Sequence, residues 1–246
     1  LSEGAECRSF GRGADGFVDA EGVGAVVLKP LAAALRDGDN IQAVIRGSAL
    51  NHGGRTHGYT VPSPAAQGAV VADALERAEV DPADVGYVEA HGTGTSLGDP
   101  IEISGLARAF GASRTARAQP CAIGSLKSNI GHCESAAGIA ALTKVLLQLR
   151  HGQLVPSLHA AVVNDEIDFA ATPFRLQREL APWQRPRARD GVGEASRIAG
   201  ISSFGAGGAN AHLVVEEAPP VTAAFASAQT PHGDTLIVLS ARTAAQ

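Results

Sequence analysis

The chain has 246 residues, 45% of them hydrophobic and 18% charged, which is enough to bury a real core in one large domain or two and excludes disorder over most of its length. A net charge of -5 argues against nucleic acid as the main partner, no apolar run approaches a membrane span, and no basic-then-apolar leader opens the sequence, so a cytoplasmic protein without a membrane partner is expected. The 29 glycines imply many tight turns and close backbone approaches. Cys7, Cys121 and Cys133 form neither a CxxC pair nor a disulfide framework and read as free thiols. Methionine is absent even from position 1, so the chain is expected to begin inside a longer protein.

In chain order, Phe17 to Leu31 reads as two short strands joined through Gly22 and Gly24, the second ending at Pro30. Ile41 to Ala49 reads as another strand. From Ser63 to Val80, Val70, Val71, Ala74, Leu75 and Ala78 recur at helical spacing behind Pro64, which suits a first turn. A strand then runs to His91. Asp99 as N-cap, Pro100 as first helical residue and Glu102 as the reciprocal member of a capping box predict a helix that buries Ile103, Leu106, Ala107 and Phe110 and ends at Gly111. Past His132, a second helix aligns Ile139, Leu142, Val145, Leu146 and Leu149, begins with small residues, and ends with Arg150 and His151 before Gly152. Residues 155 to 197 lose periodicity and read as a long surface excursion. Arg197 to Glu217 reads as two strands around a glycine-rich turn, Pro219 to Asp234 as a linker, and Thr235 to Arg242 as the first strand of another domain.

Two stretches share one grammar, a strand that runs into a histidine loop and then a helix. Val88-Glu-Ala-His-Gly-Thr-Gly-Thr-Ser-Leu-Gly-Asp-Pro100 carries His91, and Cys121-Ala-Ile-Gly-Ser-Leu-Lys-Ser-Asn-Ile-Gly-His-Cys-Glu134 carries Lys127 and His132. In layered α/β proteins ligands bind beyond the carboxyl ends of strands, so both histidines and the lysine are candidates for one pocket. His52, His57, His151, His159, His212 and His232 read as ordinary hydrogen-bonded histidines. No HExxH and no cysteine cluster points to a metal. Lys127 is either a solvated charge or a buried one that fixes His132 and favours an anionic intermediate. Cys133, at a helix start, reads either as a nucleophile or as an inward-packed thiol. The Gly205-Ala-Gly-Gly208 turn reads either as an ordinary tight turn or as backbone amides for an oxyanion hole.

Glu89-Ala-His-Gly-Thr-Gly-Thr95, Gly124-Ser-Leu-Lys-Ser-Asn-Ile-Gly-His132 and Ser203-Phe-Gly-Ala-Gly-Gly-Ala-Asn-Ala-His212 resemble, in that order, three signatures of the β-ketoacyl synthase (ketosynthase) domains of modular polyketide synthases. The resemblance extends from Cys7 to Glu217. Gly58-Tyr-Thr-Val-Pro-Ser-Pro64 and Phe204-Gly-Ala-Gly-Gly-Ala-Asn210 resemble the subgroup served by separate acyltransferases. It implies the thiolase-like α/β fold, layered α/β/α/β/α, with this chain as the second half plus flanking elements. Residues 1-218 would be the C-terminal portion of the ketosynthase, 219-234 a linker, and 235-246 the start of a following linker domain. The nucleophilic cysteine would lie upstream, and Cys7 sits in a context resembling a non-catalytic stretch.

The implied chemistry is decarboxylative Claisen condensation of a carrier-bound malonyl unit with an enzyme-bound acyl thioester. His91 and His132 would stabilise the enolate oxygen, and Lys127 would orient and polarise around the second histidine. Thr93 and Thr95 match contacts to the pantetheine arm. The Phe204 and Gly205 amides match the oxyanion turn, with the Phe204 ring as a gate. Glu134, Asn129 and Asp99 are supporting residues, Glu134 as a partner for Lys127 where some relatives place an acid at the position of Ala141. The resemblance implies no directly bound cofactor or metal, substrates on the phosphopantetheine of an acyl carrier protein, a homodimer, and neighbouring synthase domains as partners. Arg185, Arg187 and Arg189 are candidates for carrier docking. Alternative readings are a non-catalytic scaffold or dimer partner of an active ketosynthase, and a thiolase-like acyl transferase or thioester hydrolase using Cys133.

Overall fold

The computed structural model describes residues 1-220 except 57, 59, 60, 114, 117, 118 and 190. His57, Tyr59, Thr60 and His232, and the linker and strand expected beyond residue 220, lie outside the described residues. The elements are α1 (Leu31–Arg36), β1 (Ala43–His52), α2 (Pro64–Ala78), β2 (Tyr87–Glu89), α3 (Gly98–Phe110), β3 (Cys121–Gly124), α4 (Lys127–Ile130), α5 (Ala137–His151), β4 (Gln153–Leu154), β5 (Phe174–Leu176), β6 (Ala181–Pro182), β7 (Ile198–Phe204) and β8 (Ala209–Glu217).

One sheet of six strands organises them, in the order β1-β8-β7-β2-β3-β5. The strands β7, β2, β3 and β5 run parallel to one another, while β8 and β1 add an antiparallel flank. Because side chains alternate across a strand, successive residues enter opposite cores. Val88, Ile123 and Val214 pack with Val70, Val71, Leu75, Ile103, Leu106 and Phe110 of α2 and α3. Tyr87, Ala122 and Val215 face the other way, onto Ala141, Leu142, Val145 and Leu149 of α5 and onto Trp183. The result is a three-layer α/β/α unit.

The expected helices form for the anticipated reasons. Ser63 caps α2 by accepting the Ala66 amide at 3.2 Å, and Gly152 ends α5 in the left-handed conformation. Contact between α2 and α3 depends on absent side chains, since a Cβ on Gly68 would lie 2.9 Å from the Gly105 carbonyl oxygen and one on Gly105 3.0 Å from that of Pro64.

Two expectations are corrected. Residues 17-30 form no strands, and one isolated bridge pairs Asp19 with His132. A strand needs a sheet edge, and no described strand pairs with the run after Gly22. Its side chains, apolar on both faces, stay in solvent, with Val23 99% and Val27 97% exposed. Residues 155-197 are not merely a surface excursion, because β5 is the edge strand beside β3 and Trp183 is buried against Tyr87, ring centroids 5.9 Å apart. Three residues with only Phe174 and Leu176 pointing inward are too few to give a periodic signal.

Candidate active site

The parallel neighbours β2 and β3 end side by side, so their histidine loops emerge at the same edge of the sheet. The His91 and His132 rings meet nearly edge to face, centroids 5.6 Å apart at 84°. The turn after β7 brings the Phe204 ring to 5.6 Å from His91. All three line a cavity of about 930 Å³, together with Thr93, Thr95, Asp99, Glu102 and Gly205. The structure thus brings His91, His132 and Phe204 together at one cavity.

Backbone donors fix the tautomer of each imidazole. His91 Nδ1 accepts the Phe204 amide at 3.3 Å, and His132 Nδ1 accepts the Glu134 amide at 2.9 Å, a contact for which Glu134 adopts a left-handed φ of 45°. A neutral imidazole that accepts at Nδ1 carries its proton on Nε2. Burial holds the pKa of His91 well below its ordinary value, with Lys127 and His132 adding to the effect. Burial and then Lys127 lower His132 to about 4. Near neutral pH the pair is therefore uncharged and presents two Nε2–H donors.

Lys127 is buried, and its Nζ donates to the His91 carbonyl oxygen at 2.5 Å. Burial lowers its pKa, opposed first by Glu89 and then by Glu102. It therefore holds the His91 loop directly.

The capping expectation at α3 is corrected. The cap position falls on Leu97, and Thr95 Oγ1 accepts the Gly98 amide at 3.0 Å. Asp99 instead reaches back to the amides of Phe10 (2.6 Å) and Gly94 (3.1 Å), and Glu102 accepts those of His91 and Gly92, both at 2.8 Å. Both carboxylates are buried polar groups bracing the histidine loop, and burial raises Asp99 to about 6 and Glu102 to about 7 against those donors. Glu89 and Lys144, which the sequence reading passed over, form a buried ion pair at 2.7 Å. Their signals were a charge inside a three-residue buried strand and a lysine on the inward stripe of α5 with Ala137, Ala141 and Gln148.

Other expected residues fall elsewhere. The Phe204 amide is engaged by His91 and that of Gly205 by the Ala209 carbonyl at 2.7 Å, so neither is a free oxyanion donor in this arrangement. Glu134 is exposed and serves His132 through its amide, not Lys127 through its carboxylate. Asn129 is exposed and donates to the Pro156 carbonyl at 3.3 Å, away from the cavity. Thr93 and Thr95 hydroxyls lie 3.4 Å apart in the cavity wall. Cys133 packs toward the segment at Glu21 and Gly22 and does not line the histidine cavity, which removes the geometric basis for its nucleophile reading. Arg185 is bound to Glu217 and Arg189 to Asp84, each through two nitrogens, which occupies two of the three arginines considered for carrier docking. Buried His212 shares a 3.0 Å hydrogen bond with Ser202, as its ordinary reading anticipated. Among the described residues no cluster of His, Cys, Asp and Glu is grouped to hold a metal ion, and no helix is long and apolar enough to cross a membrane.

An α/β/α unit that aims two neutral histidines and a buried lysine from adjacent parallel strands defines one half of a thiolase-like condensing domain. Family models agree along the chain. Residues 1-34 match "Beta-ketoacyl synthase, N-terminal domain", 42-161 match "Beta-ketoacyl synthase, C-terminal domain", and 164-246 match "Ketoacyl-synthetase C-terminal extension". The chain is similar to polyketide synthase ThaG of Burkholderia thailandensis, 64% identical over 88% of this chain and 4% of that protein, and to polyketide synthase PksM of Bacillus subtilis, 58% identical over 98% and 6%. Among solved structures it resembles the oxazolomycin ketosynthase domain OzmH KS7 of Streptomyces albus JA3453, 58% identical with a TM-score of 0.86 over 90% of this chain and 39% of that one. The ketosynthase from module 6 of the bacillaene synthase of Bacillus subtilis 168 is 45% identical, with a TM-score of 0.83 over 89% and 38%.

The chain belongs to the β-ketoacyl synthase family, as the C-terminal portion of a polyketide synthase ketosynthase domain with a short N-terminal piece. The chain spans only a small part of the curated relatives it matches and well under half of the solved ketosynthase chains.

Proposed function

We propose that this chain supplies the decarboxylation half of a chain-elongating ketosynthase, acting on a malonyl thioester carried by acyl carrier protein phosphopantetheine. The observation that carries the reading is the pair of neutral imidazoles whose Nδ1 atoms are both occupied by backbone amides. As the carboxylate carbon leaves as carbon dioxide, the bonding electrons pass to the thioester carbonyl and place negative charge on its oxygen. The Nε2–H groups of His91 and His132 donate to that enolate oxygen in a pocket where they need no reorganisation. The enolate carbon then attacks the acyl thioester on a cysteine of the upstream half, and the thiolate departs.

Lys127 keeps the His91 loop in place and adds positive potential, and the hydroxyls of Thr93 and Thr95 serve the pantetheine arm. The Phe204 ring packs beside His91 as a gate. Alone the chain is inactive, since the acyl-bearing cysteine belongs to residues upstream, and the complete domain works as a homodimer beside neighbouring synthase domains. Residues 1-218 are assigned to the ketosynthase, 219-234 to a linker and 235-246 to the start of the next domain.

The test uses the complete ketosynthase. His91→Ala and His132→Ala should each slow carbon dioxide release from malonyl-carrier by about 100- to 1,000-fold, the loss typical of one such donor, while acylation of the upstream cysteine persists. Decarboxylation at the parental rate in either variant would refute the assignment.

A further inference from the structure

We propose that the buried Glu89–Lys144 pair is a positioning element for Lys127, holding it charged and aimed at the His91 loop. The inference rests on the condensing function proposed above and extends it to residues that do not touch the cavity.

Glu89 is 1% exposed and satisfied on all sides. Its carboxylate accepts the Tyr87 hydroxyl at 2.7 Å and the Leu126 amide at 2.6 Å, and lies 2.7 Å from Lys144 Nζ. Lys144 is itself buried on α5, its ammonium 5.5 Å from the centre of the Tyr87 ring. Leu126 immediately precedes Lys127, whose Nζ closes on the His91 carbonyl, and His91 lies two residues beyond Glu89 on the same chain. A closed circuit results, from Glu89 through the start of α4 to Lys127, across to His91, and back along the backbone. Lys144 ties that circuit to the helix that follows His132.

The electrostatics follow the same route. The groups opposing or sharing charge with Lys127 are Glu89 from β2, Asp99 and Glu102 from α3, and the Cys7 thiol of the N-terminal segment, with His91 and His132 on the cavity side. Asp99 and Glu102 are each engaged by two loop amides. Glu89 is the foremost opponent of the burial that drives Lys127 toward neutrality. A buried ion pair is poor evidence for stability, because apolar replacements of similar shape are often neutral. Here the carboxylate's position, bonded to the residue before Lys127, gives the pair a role that an apolar substitute lacks.

The experiment is the pH–rate profile of malonyl-carrier decarboxylation by the complete ketosynthase. Lys127→Arg, which does not titrate in this range, identifies the basic limb by removing it. Glu89→Gln keeps the shape and the Leu126 contact but removes the charge. It should shift that limb down by about one to two pH units, the usual effect of a neighbouring opposite charge, lower kcat about tenfold at pH 8, and leave KM nearly unchanged. Glu89→Gln combined with Lys144→Met leaves no unpaired buried charge and safeguards the test against misfolding, and it should shift the limb downward by less than the single variant, because the Lys144 charge is gone as well. A limb unmoved in both folded variants, whatever their stability, would overturn the positioning role. If decarboxylation proved independent of His91 and His132, the functional reading itself would fail, which separates the two outcomes.

Discussion

Replacing Glu102 with glutamine in the complete ketosynthase should stabilise the fold at alkaline pH relative to acid while slowing the reaction. Burial raises the carboxyl to about 7, above the 4.5 of an exposed glutamate, even though it accepts the His91 and Gly92 amides at 2.8 Å. Between those values the unfolded chain has released its proton and the folded one has not, so stability falls as pH rises from 4.5 to 7 and is level above that. The shift corresponds to about 3 kcal/mol. Glutamine imitates the protonated acid, with one acceptor oxygen retained and a donor facing the other amide. In urea denaturation the variant should therefore gain about 3 kcal/mol on wild type between pH 4.5 and pH 8, set against a pH-independent cost of about 1-3 kcal/mol for the amide left without an acceptor. One amide of the histidine loop loses its acceptor, and a loosened His91 should lower decarboxylation about 10- to 100-fold, the scale set by sub-ångström to ångström misplacement. Stability differences that are the same at both pH values would refute the reasoning.

Other consequences can be read from the same domain. Burial holds His212 down at about 3, so the stability it contributes is full above its unfolded value of 6.5 and is lost as pH falls toward 3. His212→Gln should remove about 5 kcal/mol of that acid-side slope in denaturation, leaving the parts due to His91 and His132. Gly105→Ala should destabilise the domain by about 1-3 kcal/mol, seen as a lower Tm, because its Cβ would press within 3.0 Å of the Pro64 carbonyl oxygen. Cys133→Ser should leave decarboxylation and upstream acylation near the parental rates, and loss of the acyl label in mass spectrometry would restore Cys133 as a nucleophile.

The parts of this molecule legible in the sequence are those that local physics determines. Helical spacing over 64-78 and 137-151, the apolar runs of β1 and β8, and the strand-to-loop position of both histidines each depend on neighbours a few residues away. The misplaced cap shows where that reasoning ends. Asp99, Pro100 and Glu102 satisfy every local criterion for a capped helix, yet both acids turn to loop amides as far off as Phe10, and Thr95 takes the Gly98 amide. A carboxylate beside a helix start has two uses, and only the tertiary arrangement chooses between them.

The run at residues 22-28 and the Glu89–Lys144 pair sharpen that distinction in opposite directions. Val23, Val26, Val27 and Leu28 carry the pattern of a strand buried on both faces, but no described strand pairs with them, so correct local chemistry has no structural expression here. Glu89 and Lys144 violate their local patterns, a charge in a buried strand and another in an apolar stripe, and each violation makes sense only through the other, 55 positions away along the sequence. Two mutually compensating exceptions at the same depth, next to residues with candidate chemistry, mark where the fold accepts a buried charge to place a functional one. In this domain that place is the junction between the two histidine units, where β2, β3 and α5 meet beneath His91.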